Sequence, residues 1–427
     1  MVEKITCAKR LTGTVELPGD KSISHRALML SAIAAGESRI ENLSDGQDVQ
    51  STRRCLTQLG VKFRERKGQL VVRGVGLAGL RQSRRTLDVG NSGTTMRLLA
   101  GILAGQPFTT VISGDDSIRK RPMARIIEPL RRMGAQVNAT NDEFAPIEIT
   151  GATLKPITYQ PPVASAQVKS CILLAGLYAD GTTTVKELAV TRDHTELMLA
   201  LYGAPLDKEG LTASVTGPAP LMAQDLFVPG DFSSAAFFIA GATLLPGSEL
   251  LLRNVGLNPT RRALLSLLCD FGADMQILNV RTMHNEIMAD LLVTSSKLGG
   301  MQIGAGTVPQ IIDEIPILAV MATQAQGRTE ITGAKELRYK ESDRVKSIVS
   351  NLQRMGASVA EHEDGLTIDG PVKLRGAAVE SFDDHRIAMS FAVAGLLAEG
   401  ETTVNGSECI DISYPGFLST LRRLCAI

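Results

Sequence analysis

The apolar positions fall into six blocks. Each is a nearly unbroken hydrophobic stretch of about three helical turns, closed by small residues, a glycine-centred turn and a β-branched run. They read "RALMLSAIAAGESRIENL" from Arg26, "MRLLAGILAGQPFTTVISG" from Met96, "SCILLAGLYADGTTTVKEL" from Ser170, "AAFFIAGATLLPGSELLLRNV" from Ala235, "IPILAVMATQAQGRTEITG" from Ile315 and "RIAMSFAVAGLLAEGETTVNG" from Arg386. Apolar residues on nearly every face predict helices inside a core, and the alternation after each turn predicts a strand. The turn glycines Gly36, Gly105, Gly181, Gly247, Gly327 and Gly400 set a period of roughly 70 residues, the mark of an internal repeat.

A second, amphipathic pattern lies between the blocks. A helix closes on Gly-Ala or Gly-Val and leads into two strand-like stretches, as in "LTQLGVKFRERKGQLVVRG", "LRRMGAQVNATNDEFAPIEITG", "LALYGAPLDKEGLTASVTG", "LLCDFGADMQILN" and "LQRMGASVAEHEDGLTIDG". Glycine there suits a left-handed C-cap. A sixth copy is split, because "FLSTLRRLCAI" ends the chain without strands and "KITCAKRLTGTVELPG" opens it without a helix. The two ends are therefore expected to meet in one repeat.

The length of 427 residues favours two domains, and three repeats in each is the economical division. We expect an α/β (α+β) fold with residues 1–20 plus 232–427 in one domain and 21–231 in the other. The chain would cross near residues 17–21 and 228–233, where "VPGDFSS" echoes "LPGDKSIS".

Composition narrows the function. Lys plus Arg and Asp plus Glu number 45 each, so no general basic field draws nucleic acid or an anionic membrane. Trp is absent and Tyr numbers five, which leaves no base-stacking platform. "MVEKITCAKRLTG" lacks the apolar core of a signal peptide and no apolar run spans a bilayer, so a cytoplasmic protein is expected. Cys7, Cys55, Cys171, Cys269, Cys409 and Cys425 form no CxxC pair and predict reduced, mostly core thiols. The histidines show no HxH or HExxH spacing, and no metal site is expected. "GVGLAG" at Gly74–Gly79 fits the dinucleotide pattern, but no long apolar helix follows to receive a pyrophosphate.

The chemistry lies at the helix entrances, which read "PGDKSISHR", "GNSGTTMR", "ASAQVKS", "GDFSSAA", "IDEIPIL" and "DDHRIAM". Capping explains their Ser, Asp and Asn content. It does not explain Lys21, Arg26, Lys169 and Arg386, cations at the positive end of a helix dipole, where an anion is the natural partner. If equivalent repeats point their helices alike, each domain aims three N-termini at one surface and two facing domains enclose an anion trap. The basic runs "GDDSIRKRP" and "ELRYKESDR" fit the same purpose.

"LPGDKSISHRAL", "DVGNSGTTMRLLAG", "RYKESDR" and "DDHRIAMS" resemble signatures of the enolpyruvyl transferases, in the branch whose acceptor is shikimate 3-phosphate. The resemblance runs over essentially the whole chain. It implies a two-domain inside-out α/β barrel of six repeats, three per domain. The implied reaction transfers the enolpyruvyl group of phosphoenolpyruvate to the 5-hydroxyl of shikimate 3-phosphate by addition and elimination. It uses no metal or organic cofactor, and the protein is expected to be a monomer.

Carried over, Lys21, Ser22, Arg26, Ser165, Ala166, Gln167, Arg192, Asp313 and Lys340 would bind shikimate 3-phosphate. Lys21, Gly93, Arg121, Gln167, Arg344 and Arg386 would bind phosphoenolpyruvate. Asp313 would accept the proton of the hydroxyl, Glu341 would donate one, and Lys21 would serve both substrates. Gly93 leaves room for the family inhibitor glyphosate. Lys21, Arg26, Arg121, Arg192, Lys340, Arg344 and Arg386 would then face roughly five to six negative charges. Ile412 stands where many relatives carry a lysine, and Lys120 or Lys169 is a possible substitute. In the branch that uses a UDP-sugar, a cysteine would replace Asp116 and an asparagine Ser22. Two readings lie outside this family. A nucleic-acid end-processing enzyme would need a nucleotide-reactive histidine and a basic balance, and a non-catalytic anion binder would not need Asp313 with Glu341. For His25 a local hydrogen bond is expected.

Overall fold

Every apolar block forms a helix, at Lys21–Ile33, Gly93–Ala104, Ala166–Gly176, Phe232–Leu244, Ile315–Ala322 and His385–Leu397. The computed structural model describes residues 1–261 and 263–426. Burial reaches all round these helices, as the sequence requires: Phe232–Leu244 buries every residue from Phe232 to Thr243. Side chains of Asp20, Ser92, Ser165, Asp231 and Asp384 cap five of the six, satisfying backbone N–H groups that would otherwise be stranded inside the protein.

The amphipathic pattern forms a second set of helices, at Gln47–Gln58, Ala124–Arg132, His194–Leu201, Ala263–Phe271, Arg344–Arg354 and Phe417–Leu424. Five are followed by a glycine at positive φ, Gly60, Gly134, Gly203, Gly272 and Gly356, which turns the chain into the next strand. In each complete repeat the strand after the buried helix pairs antiparallel with the second strand of the hairpin. Ala34–Glu41 pairs with Gln69–Val75 in this way, and Thr109–Ser113 with Phe144–Thr150. The result, among the described residues, is six small sheets.

The termini meet, but not as a single hairpin. Val2–Thr6 pairs with Glu401–Asn405, whereas Arg10–Glu16 runs parallel to Glu249–Gly256 in a different sheet and also takes Cys425–Ala426. The reason is general to the repeat. Each one passes a final strand to a neighbouring sheet as a parallel partner, as Thr158–Tyr159 does for Gly181–Lys186, and this strand has no hydrophobic pattern of its own.

Contacts divide the chain into two lobes. The split lobe comprises Met1–Pro18, Pro229–Thr282 and Ile287–Ile427, and the continuous lobe comprises Gly19–Val228 with Met283–Glu286. Each has its own hydrophobic core and holds three of the buried helices packed together inside its sheets, the inside-out α/β arrangement. Close approach depends on small residues: a Cβ on Gly101 would lie 2.2 Å from the Cys171 carbonyl oxygen of the neighbouring helix. The glycines of "GVGLAG" are used similarly, since Cβ atoms on Gly74 and Gly79 would meet backbone oxygens at 2.2 and 1.9 Å. The cysteine expectation needs correcting: Cys55, Cys171 and Cys409 are buried, but Cys7 is exposed in the connection between the strands Val2–Thr6 and Arg10–Glu16, and Cys269 is exposed on the helix Ala263–Phe271. No described helix is long and apolar enough to cross a membrane.

Candidate active site

In the continuous lobe, side chains tie the three buried-helix entrances together. Lys21 and Ser22 open the first helix, and Lys21 Nζ donates to Asp48 Oδ2 at 3.1 Å. Arg26, one turn further, is 4% exposed. Its Nε donates to Thr195 Oγ1 at 2.6 Å, its Nη1 to the Ser22 carbonyl at 2.8 Å and its Nη2 to Ser170 Oγ at 2.8 Å. All three partners are neutral. Burial, with Arg192 adding positive charge, lowers its pKa to about 10 despite the opposing fields of Glu196, Asp20 and Glu286. A guanidinium taken from water without a carboxylate partner is costly, and a bound anion would offset the cost.

The second and third entrances carry an amide and guanidinium cluster. Gln167 Oε1 accepts from Arg97 Nη1 at 2.6 Å, and Gln167 Nε2 donates to Thr94 Oγ1 at 3.0 Å. Arg121 Nη2 donates to Asn91 Oδ1 at 2.6 Å and to Ser117 Oγ at 3.1 Å. Gly93 lies between these arginines: a Cβ there would lie 2.9 Å from Arg97 Nη1 and 3.3 Å from Arg121 Nη1. Ser165 caps the third helix, and Ala166 and Gln167 form its first turn, partly open to solvent.

The split lobe gathers carboxylates around three buried arginines, Arg261, Arg344 and Arg386. Asp313 Oδ1 accepts from Lys340 Nζ and Arg344 Nη1, both at 3.3 Å. Arg344, 1% exposed, also donates from Nε to Asp384 Oδ2 and from Nη2 to Glu341 Oε2, both at 2.7 Å. Burial alone would lower its pKa, but Asp384, Glu341 and Asp313 together raise it well above the ordinary arginine value. Arg386 is also buried and lies 3.8 Å from Glu314 Oε1; its Nη1 has no hydrogen-bond partner among the described residues. Glu314 is further held by Ser233 and Arg261. The three helix entrances of this lobe thus form one network.

Some cations singled out in the sequence lie elsewhere. Lys169 is fully buried between Glu187 at 2.9 Å and Glu196 at 2.7 Å, so it is a core ion pair and no substitute for the missing lysine. Arg119 and Lys120 are exposed, and Ile412 packs against the hydrophobic core of its lobe. Sequence reasoning also passed over residues that matter. Arg97 gave one signal, a charge four residues into an apolar helix, whereas Thr195, Ser170 and Asp384 read as caps or ordinary polar residues.

The family model described as EPSP synthase (3-phosphoshikimate 1-carboxyvinyltransferase) matches residues 5–421. The chain belongs to the EPSP synthase family. A 3-phosphoshikimate 1-carboxyvinyltransferase of Brevibacillus brevis is 49% identical over 422 residues, covering 99% of both chains. One from Synechocystis is 53% identical over 421 residues, covering 97% of this chain and 94% of the relative. Among solved structures, EPSP synthase from Acinetobacter baumannii has a TM-score of 0.89 at 42% identity, covering 99% of this chain and 98% of that one. An enolpyruvyl transferase from Streptomyces tendae shares the fold with a TM-score of 0.79 at 19% identity. Members of the EPSP synthase family are transferases, and this chain is an enzyme of that class.

Proposed function

We propose that this chain transfers the enolpyruvyl group of phosphoenolpyruvate to the 5-hydroxyl of shikimate 3-phosphate, releasing phosphate. The observation that carries the reading is Arg26, a buried guanidinium with only neutral hydrogen-bond partners at a helix entrance beside Lys21 and Ser22. Lys21, Ser22, Arg26, Ser165, Ala166, Gln167 and Arg192 hold shikimate 3-phosphate, with Lys340 and Asp313 at its hydroxyl. Gly93, Arg121, Gln167, Arg344 and Arg386 hold phosphoenolpyruvate, which Lys21 also reaches.

In the addition step Asp313 takes the hydroxyl proton as oxygen bonds to C2 of phosphoenolpyruvate, and Glu341 protonates the methylene carbon. The resulting tetrahedral adduct then gives a methyl proton back to the Glu341 carboxylate as its C–O bond to phosphate breaks, leaving the vinyl ether and free phosphate. The contacts of Asp313 with Lys340 and Arg344 support this role, because both cations favour the carboxylate form that a base needs. The enzyme works as a cytoplasmic monomer, and glyphosate occupies the phosphoenolpyruvate position.

The test is phosphate release from phosphoenolpyruvate with shikimate 3-phosphate, and separately with UDP-N-acetylglucosamine, as sole acceptor. Release with the first alone is the expected result. No release with it overturns the reading, and release with the UDP-sugar alone moves the chain to the other branch.

A further inference from the structure

A line of buried hydroxyls joins two helix entrances of the continuous lobe, and it begins at His25. His25 Nδ1 lies 2.7 Å from Thr52 Oγ1, which lies 2.7 Å from Thr95 Oγ1. Thr95 Oγ1 then donates to Ser92 Oγ at 2.7 Å. Ser92 caps the helix that Gly93 opens, its Oγ also accepting from the Thr95 backbone N–H at 3.1 Å. All four side chains have no exposed surface.

The direction of the line follows from counting hydrogens. A hydroxyl has one to donate, and Thr95 gives its own to Ser92. Thr52 must therefore donate to Thr95, and His25 Nδ1–H must donate to Thr52. His25 is then the neutral Nδ1–H tautomer, and its buried Nε2 has no hydrogen-bond partner among the described residues. Its surroundings agree. Burial, Lys21 and Arg26 hold its pKa well below the ordinary histidine value, and only Asp20 opposes them. The donor hydrogen is present whether or not the solution is acidic enough to charge a free histidine.

We propose that His25 is a positioning residue for phosphoenolpyruvate: through Thr52 and Thr95 it fixes the Ser92 cap, and with it the first turn that holds Gly93 between Arg97 and Arg121. The assignment rests on reading Gly93 and Arg121 as part of the phosphoenolpyruvate site. It makes the helix carrying Lys21, Ser22 and Arg26 set the geometry of the neighbouring entrance. A small misplacement there costs binding, because the two guanidiniums flank Gly93 closely.

The experiment compares wild type, His25→Ala, His25→Asn, His25→Gln and Thr52→Val, the last nearly isosteric and lacking only the hydroxyl. Steady-state kinetics with both substrates are measured at several pH values, with thermal melts for each variant. His25→Ala and Thr52→Val should raise the KM for phosphoenolpyruvate about tenfold, the scale of one lost buried hydrogen bond. The KM for shikimate 3-phosphate and kcat should change far less. His25→Asn, whose amide N–H reaches the Nδ1 position, should restore the KM, and His25→Gln, which reaches the Nε2 position, should not. The double variant His25→Ala/Thr52→Val should be no worse than either single one, as for parts of one line. The effect should be the same across the pH series.

Unchanged phosphoenolpyruvate KM in a folded Thr52→Val overturns the proposal. So does equal rescue by Asn and Gln, or a loss confined to melting temperature and active fraction. Wild type without turnover would instead overturn the reading of the activity itself.

Discussion

Arg26 donates its Nε–H to Thr195 Oγ1 at 2.6 Å, and that same oxygen lies 2.6 Å from Ser170 Oγ. The two hydroxyls hold the guanidinium in place without neutralising it. They can also satisfy each other if the arginine is removed, so the site is arranged for ligand at the expense of the free protein. Arg26→Met should therefore melt no lower than wild type without ligand, yet lose the rise in melting temperature that shikimate 3-phosphate gives wild type. The pH sign follows from the lowered pKa. The penalty is fully present below about pH 10, where the arginine is charged both folded and unfolded, and is relieved as pH rises through that value. A variant that melts lower but keeps the ligand-induced rise would show Arg26 to be a structural residue.

Gly93→Ala tests the room between Arg97 and Arg121. The new Cβ would press on the ends of two flexible side chains, at 2.9 and 3.3 Å, and lie in ordinary contact with Ile118 Cδ1 at 3.7 Å; alanine is also the better helix residue, by at most about 1 kcal/mol. The fold should keep or gain stability while the guanidiniums shift. Inhibition assays should show glyphosate sensitivity falling further than phosphoenolpyruvate affinity does. Equal inhibition of both forms would refute the steric argument.

Asp313→Asn keeps the size of the side chain and removes the base. Turnover should fall by about 10²–10⁴-fold, with both substrates still bound. Rapid-quench measurement of the first turnover together with calorimetric binding checks this. Normal turnover would exclude Asp313 as the proton acceptor.

How much of this was legible in the chain depends on the kind of signal. The six buried helices were plain, because apolar residues on every face, as in "AAFFIAGATLL", have no other stable place. The entrances were legible too: Asp20, Ser92 and Asp384 sit where caps belong, and Lys21 and Arg26 sit where a dipole alone would disfavour them. The partners were not. Nothing in the sequence places Asp384 against Arg344, forty residues away, or separates Arg26, which has neutral partners, from Lys169, which has two glutamates. Both stand within the first two turns of buried helices, and the difference lies in long-range contacts that a local pattern does not carry. Arg10–Glu16 reads as a strand, but its pairing was missed for a similar reason, since its parallel partner Glu249–Gly256 lies far along the chain.

Lys169 provides a last test, because its partners predict a structural role. It has no exposed side-chain surface, and Glu187 and Glu196 are 6% and 1% exposed. Lys169→Met would leave two carboxylates buried close together, and breaking such a group costs about 3–5 kcal/mol. Urea unfolding should therefore show Lys169→Met less stable than wild type by that amount, while KM for both substrates stays near wild type in the protein that folds. Unchanged stability would mean that the glutamates are satisfied without this lysine, by Lys208 for instance, 3.7 Å from Glu196, and a raised phosphoenolpyruvate KM would return Lys169 to the anion site.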